Sequence, residues 1–277
     1  MGITQSENFI NRLKQSDNPF LLCQKEKNYL DVNYQGLPTR KKSYSEYRKV
    51  IIDSSLSDAE KEKYLQVFAL SKEEYTDYKN DYKRKVAKEH DNQKPLYDHK
   101  KYIEKAIELL DCKSYPEQVI GFAALTGRRL AEIGCTAEFS IVSSDELMFT
   151  GQLKLKDTTP TLKPYKIPVL ANSFTLMKKF DLFREKYKTY IGNPKKFHNN
   201  NSRYISEFTK KHFKQFVEKD IQGKDLRAIY AEIAANKFKS IEQTKQRYFA
   251  LILGHSEDDL VTCNSYFDFR LCDEQKL

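Results

Sequence analysis

The chain has 277 residues, 39% of them apolar, and its 48 lysines and arginines outnumber 39 aspartates and glutamates, so its formal net charge is +9. This length corresponds to two modest domains or one large one. No stretch approaches the roughly 20 apolar residues that a membrane span requires, and the first residues lack the apolar core of a signal peptide. We therefore expect a soluble, cytoplasmic protein with no membrane partner.

The composition favours a polyanionic partner. The chain carries 18 Tyr and 17 Phe, and this combination suits nucleic acid because cations hold phosphates while aromatic rings stack or build the core. A basic surface with no nucleic-acid role is the alternative. Five widely spaced cysteines without a Cys-x-x-Cys pair favour reduced thiols over a disulfide framework or a zinc site.

The first part of the chain is predicted to be helical. Apolar and aromatic residues recur at helical spacing from Tyr64 to Ala87, which predicts one long amphipathic helix whose tyrosines form a packing face. Residues 90–95 contain no apolar side chain except that of Pro95, and they predict a linker. We therefore place a helical N-terminal domain at residues 1–95 and a second domain at residues 96–277.

A basic run in the N-terminal domain is a candidate DNA contact. Arg40, Lys41 and Lys42 follow one another, and cations that neutralise phosphates supply affinity for DNA of any sequence. A solvated charged face is an equally good interpretation of these three residues.

The second domain is predicted to combine helices with a small sheet. Residues 114–117 supply the Ser, Pro and Glu of a helix start, and Thr126-Gly127 ends that helix just before two arginines. Period-two alternation over residues 147–155, followed by a second strand at 165–170, predicts a hairpin with Lys154 near its tip. Pro168 favours an edge position for the second strand.

The rest of the second domain shows helical spacing. We predict helices at residues 174–187, 204–217, 226–238 and 241–253, a loop at 199–201, and an irregular segment from residue 255 onward. The predicted fold class is therefore mainly α with a small antiparallel β-sheet (α+β).

This domain also contains the residue types that can break a phosphodiester bond without a metal ion. Such a reaction needs cationic donors for the non-bridging oxygens, a proton donor for the leaving oxygen, and a nucleophile. The candidates, in chain order, are Arg129, Lys154, Lys224, Arg227, His255 and Tyr266. No acidic cluster indicates a metal site, so we expect a reaction that uses neither a metal nor a nucleotide cofactor.

Several segments resemble the boxes of tyrosine recombinases and their telomere-resolvase (protelomerase) relatives, over about residue 102 to the C-terminus. Leu125-Thr126-Gly127-Arg128-Arg129-Leu130-Ala131-Glu132-Ile133 resembles the first-arginine box, and its doubled arginine is closer to the telomere resolvases. Phe149-Thr150-Gly151-Gln152-Leu153-Lys154 is similar to the resolvases' hairpin strand with a catalytic lysine. Lys224-Asp225-Leu226-Arg227 resembles the second-arginine box, and Leu253-Gly254-His255 with Ser265-Tyr266 resembles the closing boxes.

Two departures from the recombinase pattern favour a resolvase. Recombinases usually have histidine at the position of Lys224, and Tyr266 follows His255 at a longer spacing than is usual in recombinases. The telomere resolvases are more variable at both places.

The resemblance implies a role for each candidate. Tyr266 would attack the scissile phosphorus, and Arg129 and Arg227 would hold its non-bridging oxygens. Lys154, with Lys156 as the alternative, would protonate the leaving 5′ oxygen, while His255 and Lys224 would act as further donors. Arg128 is expected to pack, to pair or to bind backbone phosphate, and Lys156, where it is not the acid, to bind DNA.

The resemblance further implies the reaction of a telomere resolvase. A dimer would bind double-stranded DNA with an inverted repeat, cut each strand through a 3′-phosphotyrosyl intermediate, and rejoin the strands as covalently closed hairpin ends. The N-terminal domain would bind the DNA core. Residue spacing alone does not distinguish this outcome from conventional site-specific recombination or from type IB topoisomerase relaxation. A basic replication or repair factor without enzymatic activity is a further alternative.

Overall fold

The computed structural model describes residues 5–153, 163–218, 220–255 and 266–272. The chain divides into two compact units, Met1–Lys85 and Val86–Leu277. The linker predicted at residues 90–95 puts the boundary ten residues later, after Pro95. None of the helices in the described ranges has both the length and the apolar content that crossing a bilayer requires.

The first unit is a set of helices around an aromatic core. Its helices are α1 (Gln5–Gln15), α2 (Pro19–Asn33), α3 (Leu37–Ile52), α4 (Asp58–Val67) and α5 (Lys72–Asp91), the last of which runs past the division. The rings of Phe9 and Phe68 both lie against Tyr47, with centroids 5.0 Å away in each pair. Burial of such large rings is a main source of stability in a unit of this size.

The single long helix predicted over residues 64–87 is wrong, because the chain starts a new helix at Ser71. The Ser71 N–H donates to the Glu74 carboxylate (3.0 Å), and the Glu74 N–H donates to Ser71 Oγ (3.1 Å). This reciprocal capping box satisfies backbone donors that a continuous helix would bond internally. The predicted packing face is wrong for Tyr75 and Tyr82, which are 43% and 60% exposed, whereas Tyr64 and Phe68 are buried.

The second unit contains the remaining elements. Its helices are α6 (His99–Leu109), α7 (Tyr115–Thr126), α8 (Ser173–Lys186), α9 (Pro194–Phe213), α10 (Asp225–Phe238) and α11 (Lys245–Leu253). Its strands are β1 (Lys94–Tyr97), β2 (Glu138–Ile141), β3 (Glu146–Thr150), β4 (Tyr165–Pro168) and β5 (Phe269–Cys272). The predicted fold class, mainly α with a small antiparallel sheet, is confirmed.

The strands form two small sheets. β2, β3 and β4 make an antiparallel sheet in that order, with β4 at an edge as Pro168 predicts. Leu147 and Phe149 alternate into the core and are fully buried, which confirms the period-two pattern over the first strand. β1 and β5 form a separate parallel pair, so the segment predicted to be a linker contains the start of a strand.

Two buried helices form the centre of this unit. Every residue of α7 from Val119 to Thr126 is buried, as is every residue of α10 from Asp225 to Ala235. The predicted helices at 174–187, 226–238 and 241–253 correspond to α8, α10 and the shorter α11. The loop predicted at residues 199–201 is wrong, because α9 continues through it and the Asn201 side chain donates to the Phe197 carbonyl (3.0 Å).

Candidate active site

The site begins at the turn that ends α7. Gly127 caps the helix with a φ of +66°, a conformation that residues with a Cβ adopt at a cost. A Cβ there would lie 2.0 Å from the buried ring of Tyr230, so only glycine fits. This turn sends Arg128 and Arg129, adjacent in sequence, into different surroundings.

Arg128 is part of the core. Its side chain is 1% exposed and packs over the rings of Phe149 and Tyr165, at 4.8 and 5.5 Å from their centroids. The guanidinium donates to the Thr126 carbonyl, the Tyr165 hydroxyl and the Ile252 carbonyl. Packing, one of the roles expected for Arg128, is therefore what the structure shows, and the predicted contact with a DNA phosphate is corrected because the rings of Phe149 and Tyr165 cover the guanidinium.

Arg129 lies at the surface side of the turn and is paired with Glu132. Its side chain is 21% exposed, its Nη1 donates to Glu132 Oε1, and its backbone N–H donates to Glu132 Oε2 (2.9 Å). Arg129 directly precedes the helical segment that begins at Leu130, and the Glu132 carboxylate reaches back to its N–H as in a capping box. Arg129 is thus held in place while part of its fork remains accessible.

Glu132 is a residue of the site to which sequence reasoning assigned no role. Its side chain is fully buried, and Leu153 N–H also donates to its Oε1 (3.3 Å). Burial raises the pKa of this carboxyl, but the charges of Arg227, Arg129 and Arg128 more than offset burial and hold the pKa below its usual range. The signal in the sequence was the acid three residues after Arg129.

Arg227 comes from α10 and joins three parts of the site. Its Nη1 donates to the Gly127 carbonyl and its Nη2 to the Leu253 carbonyl, both at 2.6 Å. Its Nε donates to the Tyr266 hydroxyl at 3.2 Å. Burial lowers the pKa of Arg227, but the Tyr266 and Glu132 groups more than offset burial and raise the pKa above its ordinary value. A fixed, charged guanidinium therefore lies directly beside Tyr266.

His255 and Tyr266 lie on either side of a gap in the described chain. α11 ends at Gly254, whose φ is +67°, and the His255 N–H donates to the Ala250 carbonyl (2.9 Å). The His255 and Tyr266 rings are 5.6 Å apart between centroids. The structure therefore places the side chains of His255 and Tyr266 next to each other.

The hairpin approaches the same turn. After β3, Gly151 takes a φ of +92° and its carbonyl accepts from Thr136 Oγ1. Gln152 Nε2 then donates to the Gly254 carbonyl (3.1 Å). Lys154 and Lys156, the candidate general acids, lie outside the described residues.

The remaining predicted residues are Lys224 in the second unit and three basic residues in the first unit. Lys224 is exposed at the N-terminal end of α10, three residues before Arg227. In the first unit, Arg40 is ion-paired with Glu74 (2.8 Å) and Asp31 (3.6 Å), and Lys41 lies over the Tyr78 ring at 4.0 Å from its centroid. Lys42 is exposed. Over the ranges that the structure covers, no group of His, Cys, Asp or Glu is arranged to hold a metal ion.

Tyr266 thus contacts both Arg227 and His255, while Arg129 is paired with Glu132, whose charge also acts on Arg227. The model of the family "Telomere resolvase ResT/TelK catalytic domain" matches residues 93–269. The chain belongs to this family of telomere resolvases, DNA cleaving and rejoining enzymes. The match selects the resolvases over the conventional recombinases, which were the alternative.

Solved structures of two protelomerases are similar to this chain. Protelomerase TelA covalently complexed with substrate DNA has a TM-score of 0.86 and 24% identity, covering 98% of this chain and 90% of that chain. A TelA variant covalently complexed with substrate DNA has a TM-score of 0.87 and 25% identity, with the same coverage. Protelomerase TelK complexed with substrate DNA has a TM-score of 0.63 and 20% identity, covering 98% and 61%. No curated protein matches the chain.

Proposed function

We propose that this telomere resolvase cuts both strands of an inverted-repeat duplex through Tyr266 and rejoins each strand to its own complement. The observation that carries the proposal is the hydrogen bond from Arg227 Nε to the Tyr266 hydroxyl at 3.2 Å. A guanidinium in this position also lies next to the phosphate that the tyrosine attacks, where its planar donors match phosphate oxygens.

In the cleavage step, Tyr266 Oη gives up its proton to water and attacks the scissile phosphorus while the bond to the 5′ oxygen breaks. A phenol is a weak nucleophile until it loses its proton, and the charge that develops on the phosphate needs fixed donors. Arg129 and Arg227 supply these donors, with His255, 5.6 Å from Tyr266 between ring centroids, as a third. Lys154, or Lys156 in its place, protonates the leaving 5′ oxygen, and Lys224 contributes a further charge at the end of α10.

The phosphotyrosine conserves the energy of the broken bond, so rejoining needs neither ATP nor a ligase. In rejoining, the 5′ hydroxyl of the opposite strand attacks the phosphotyrosine, and Tyr266 leaves. Each strand is then continuous with its complement at a closed hairpin. This outcome is supported by TelA, which has been solved covalently complexed with substrate DNA and, as another variant, complexed with a DNA hairpin product.

The proposed assembly is a dimer on DNA. An inverted repeat has a two-fold axis, and a protein dimer with the same symmetry places one Tyr266 at each strand. In the first unit, the exposed Lys42 is the remaining candidate of the basic run for a backbone contact, because Arg40 is paired within the unit and Lys41 lies over Tyr78.

The nucleophile is tested by covalent capture. Tyr266→Phe keeps the ring but removes the attacking oxygen, so it should bind inverted-repeat DNA and form no protein–DNA adduct on a denaturing gel. The matched control is Tyr248→Phe, which removes one hydroxyl from the neighbouring helix α11 and should form the adduct at the wild-type rate. Both reactions are run in EDTA without nucleotide, where the wild-type protein should remain active. An adduct from Tyr266→Phe, or a strict need for a divalent metal, would contradict the proposed mechanism.

A further inference from the structure

The backbone that follows Tyr266 is held by the strand at the start of the second unit. β5 pairs in parallel with β1, with Phe269 opposite Lys94. The Lys94 N–H donates to the Asp268 carbonyl (2.7 Å). One residue earlier, Gln93 Nε2 donates to the Phe267 carbonyl (3.0 Å). Gln93 and Lys94, at the start of β1, thus donate to the carbonyls of Phe267 and Asp268, the two residues that follow Tyr266.

The opposite side of this segment is held by α11. The Phe267 ring stacks on Phe249, with centroids 4.9 Å apart and planes inclined by 26°, and Phe269 is 1% exposed. Tyr266 itself has 3₁₀-helical backbone, and the two residues after it form a turn that leads into β5. The position of the tyrosine therefore depends on these contacts with distant parts of the chain.

We propose that Gln93 is a positioning residue that sets the attack geometry of Tyr266 through the Phe267 carbonyl. The inference rests on the proposed function, in which Tyr266 is the nucleophile. Gln93 is half-buried, and its side-chain amide donates to the carbonyl of Phe267, the residue that directly follows Tyr266. Attack requires the reacting atoms to be aligned within about 3–3.5 Å, and a displacement of about 1 Å costs on the order of 100-fold in rate.

The test separates chemistry from binding. Gln93→Ala removes the amide donor, and Gln93→Glu keeps the shape but presents a carboxylate to the carbonyl. The matched control is Gln118→Ala, since Gln118 Nε2 donates to the Leu110 carbonyl (2.9 Å) in the same unit. With enzyme in excess and DNA saturated, both Gln93 variants should form the covalent adduct at least about tenfold more slowly than Gln118→Ala. Their Kd for DNA and their Tm should match those of the control.

A modified substrate shows which step is slowed. Sulfur in place of the bridging 5′ oxygen gives a leaving group with a thiol pKa of about 8.5, which departs without a proton donor. If Lys154 is the general acid, this substrate should restore cleavage by Lys154→Ala. It should not restore the cleavage rate of Gln93→Ala, because Tyr266 remains misplaced in that variant. Three results would overturn the inference. The first is a wild-type rate of adduct formation in both Gln93 variants, and the second is weaker DNA binding with no change in that rate. The third is a wild-type cleavage rate of Gln93→Ala on the sulfur-containing substrate. An adduct from Tyr266→Phe would instead overturn the proposed function.

Discussion

At the scale of single residues, the site depends on how two adjacent arginines are separated. The sequence alone identifies the pair but not the direction of each side chain, because that direction follows from the turn at Gly127 and from the aromatic residues beneath it. The guanidinium of Arg128 packs over the rings of Phe149 and Tyr165, whereas that of Arg129 is hydrogen-bonded to Glu132. One arginine consequently serves the fold, and the other is available to a phosphate.

Substitution of these two arginines should have different consequences. Arg129→Ala should fold and bind DNA but cleave about 10²–10³-fold more slowly, which is the usual cost of losing a transition-state donor. Arg128→Ala should lose at least about 3 kcal/mol of unfolding free energy, because two buried carbonyls and the half-buried Tyr165 hydroxyl lose their donor. Single-turnover cleavage and denaturant unfolding of both variants check this expectation. An Arg128→Ala protein of normal stability but weakened DNA binding would show that Arg128 contacts DNA after all.

Glu132 should make stability depend on pH in a defined direction. Its folded-state pKa is depressed by Arg227, Arg129 and Arg128 despite burial, so it stabilises the fold above the ordinary Glu pKa of about 4.3. That contribution is lost as the pH falls through the folded-state pKa. Glu132→Gln should therefore be destabilised by about 3 kcal/mol near neutral pH, since buried positive charges lose their partner.

The measurement is the unfolding free energy of wild-type and Glu132→Gln proteins from about pH 7 down to about pH 3. The difference between the two should shrink as the solution becomes acidic. A difference that stays constant with pH would mean that the Glu132 charge does not stabilise the fold.

At the scale of elements, local patterns predicted α8, α10 and the β3–β4 pair, but not the pairing of strands that lie far apart in the chain. α8 and α10 follow their helical spacing closely, and the alternation of Leu147 and Phe149 matches their burial. The β1–β5 pair was missed because parallel pairing joins residues far apart in the chain and leaves no local period. The break before α5 was readable in Ser71 and Glu74, whose capping box outweighs the continuous helical spacing.

The turn that ends α11 provides a test at this scale. Gly254 has a φ of +67°, and a Cβ there would lie 2.3 Å from the Tyr165 hydroxyl and 2.8 Å from Gln152 Oε1. Gly254→Ala should therefore displace His255 and slow cleavage by at least about tenfold, by the same argument of misalignment. The backbone conformation alone should cost about 1–2 kcal/mol.

The control is Gly192→Ala, because Gly192 has a φ of +70° but no atom within 4 Å of its Cβ position. Both variants should lose similar stability from backbone strain, and only Gly254→Ala should lose activity. Equal cleavage rates would show that the contacts of Gly254 do not position His255.

At the scale of the whole molecule, the sequence predicted a division into two parts, and the chain forms two compact units. The net charge of +9 suits a DNA-binding protein, and the residues that resemble the family's boxes all belong to the second unit. Charge and composition indicated the partner, but the reaction outcome came from the resemblance and the family match. Residue spacing carries no information about which 5′ hydroxyl attacks the phosphotyrosine, because that choice depends on the path of the DNA.

The most direct test of the account is the structure of the product ends from a single DNA. A linear duplex with one central inverted-repeat target is incubated with the protein in EDTA, and the products are separated under denaturing conditions. We predict two shorter products, each migrating as one strand of twice its duplex length and reannealing at once on cooling, because rejoining occurs within the same duplex. Products with open ends, or recombinants that form only when a second duplex is supplied, would contradict it.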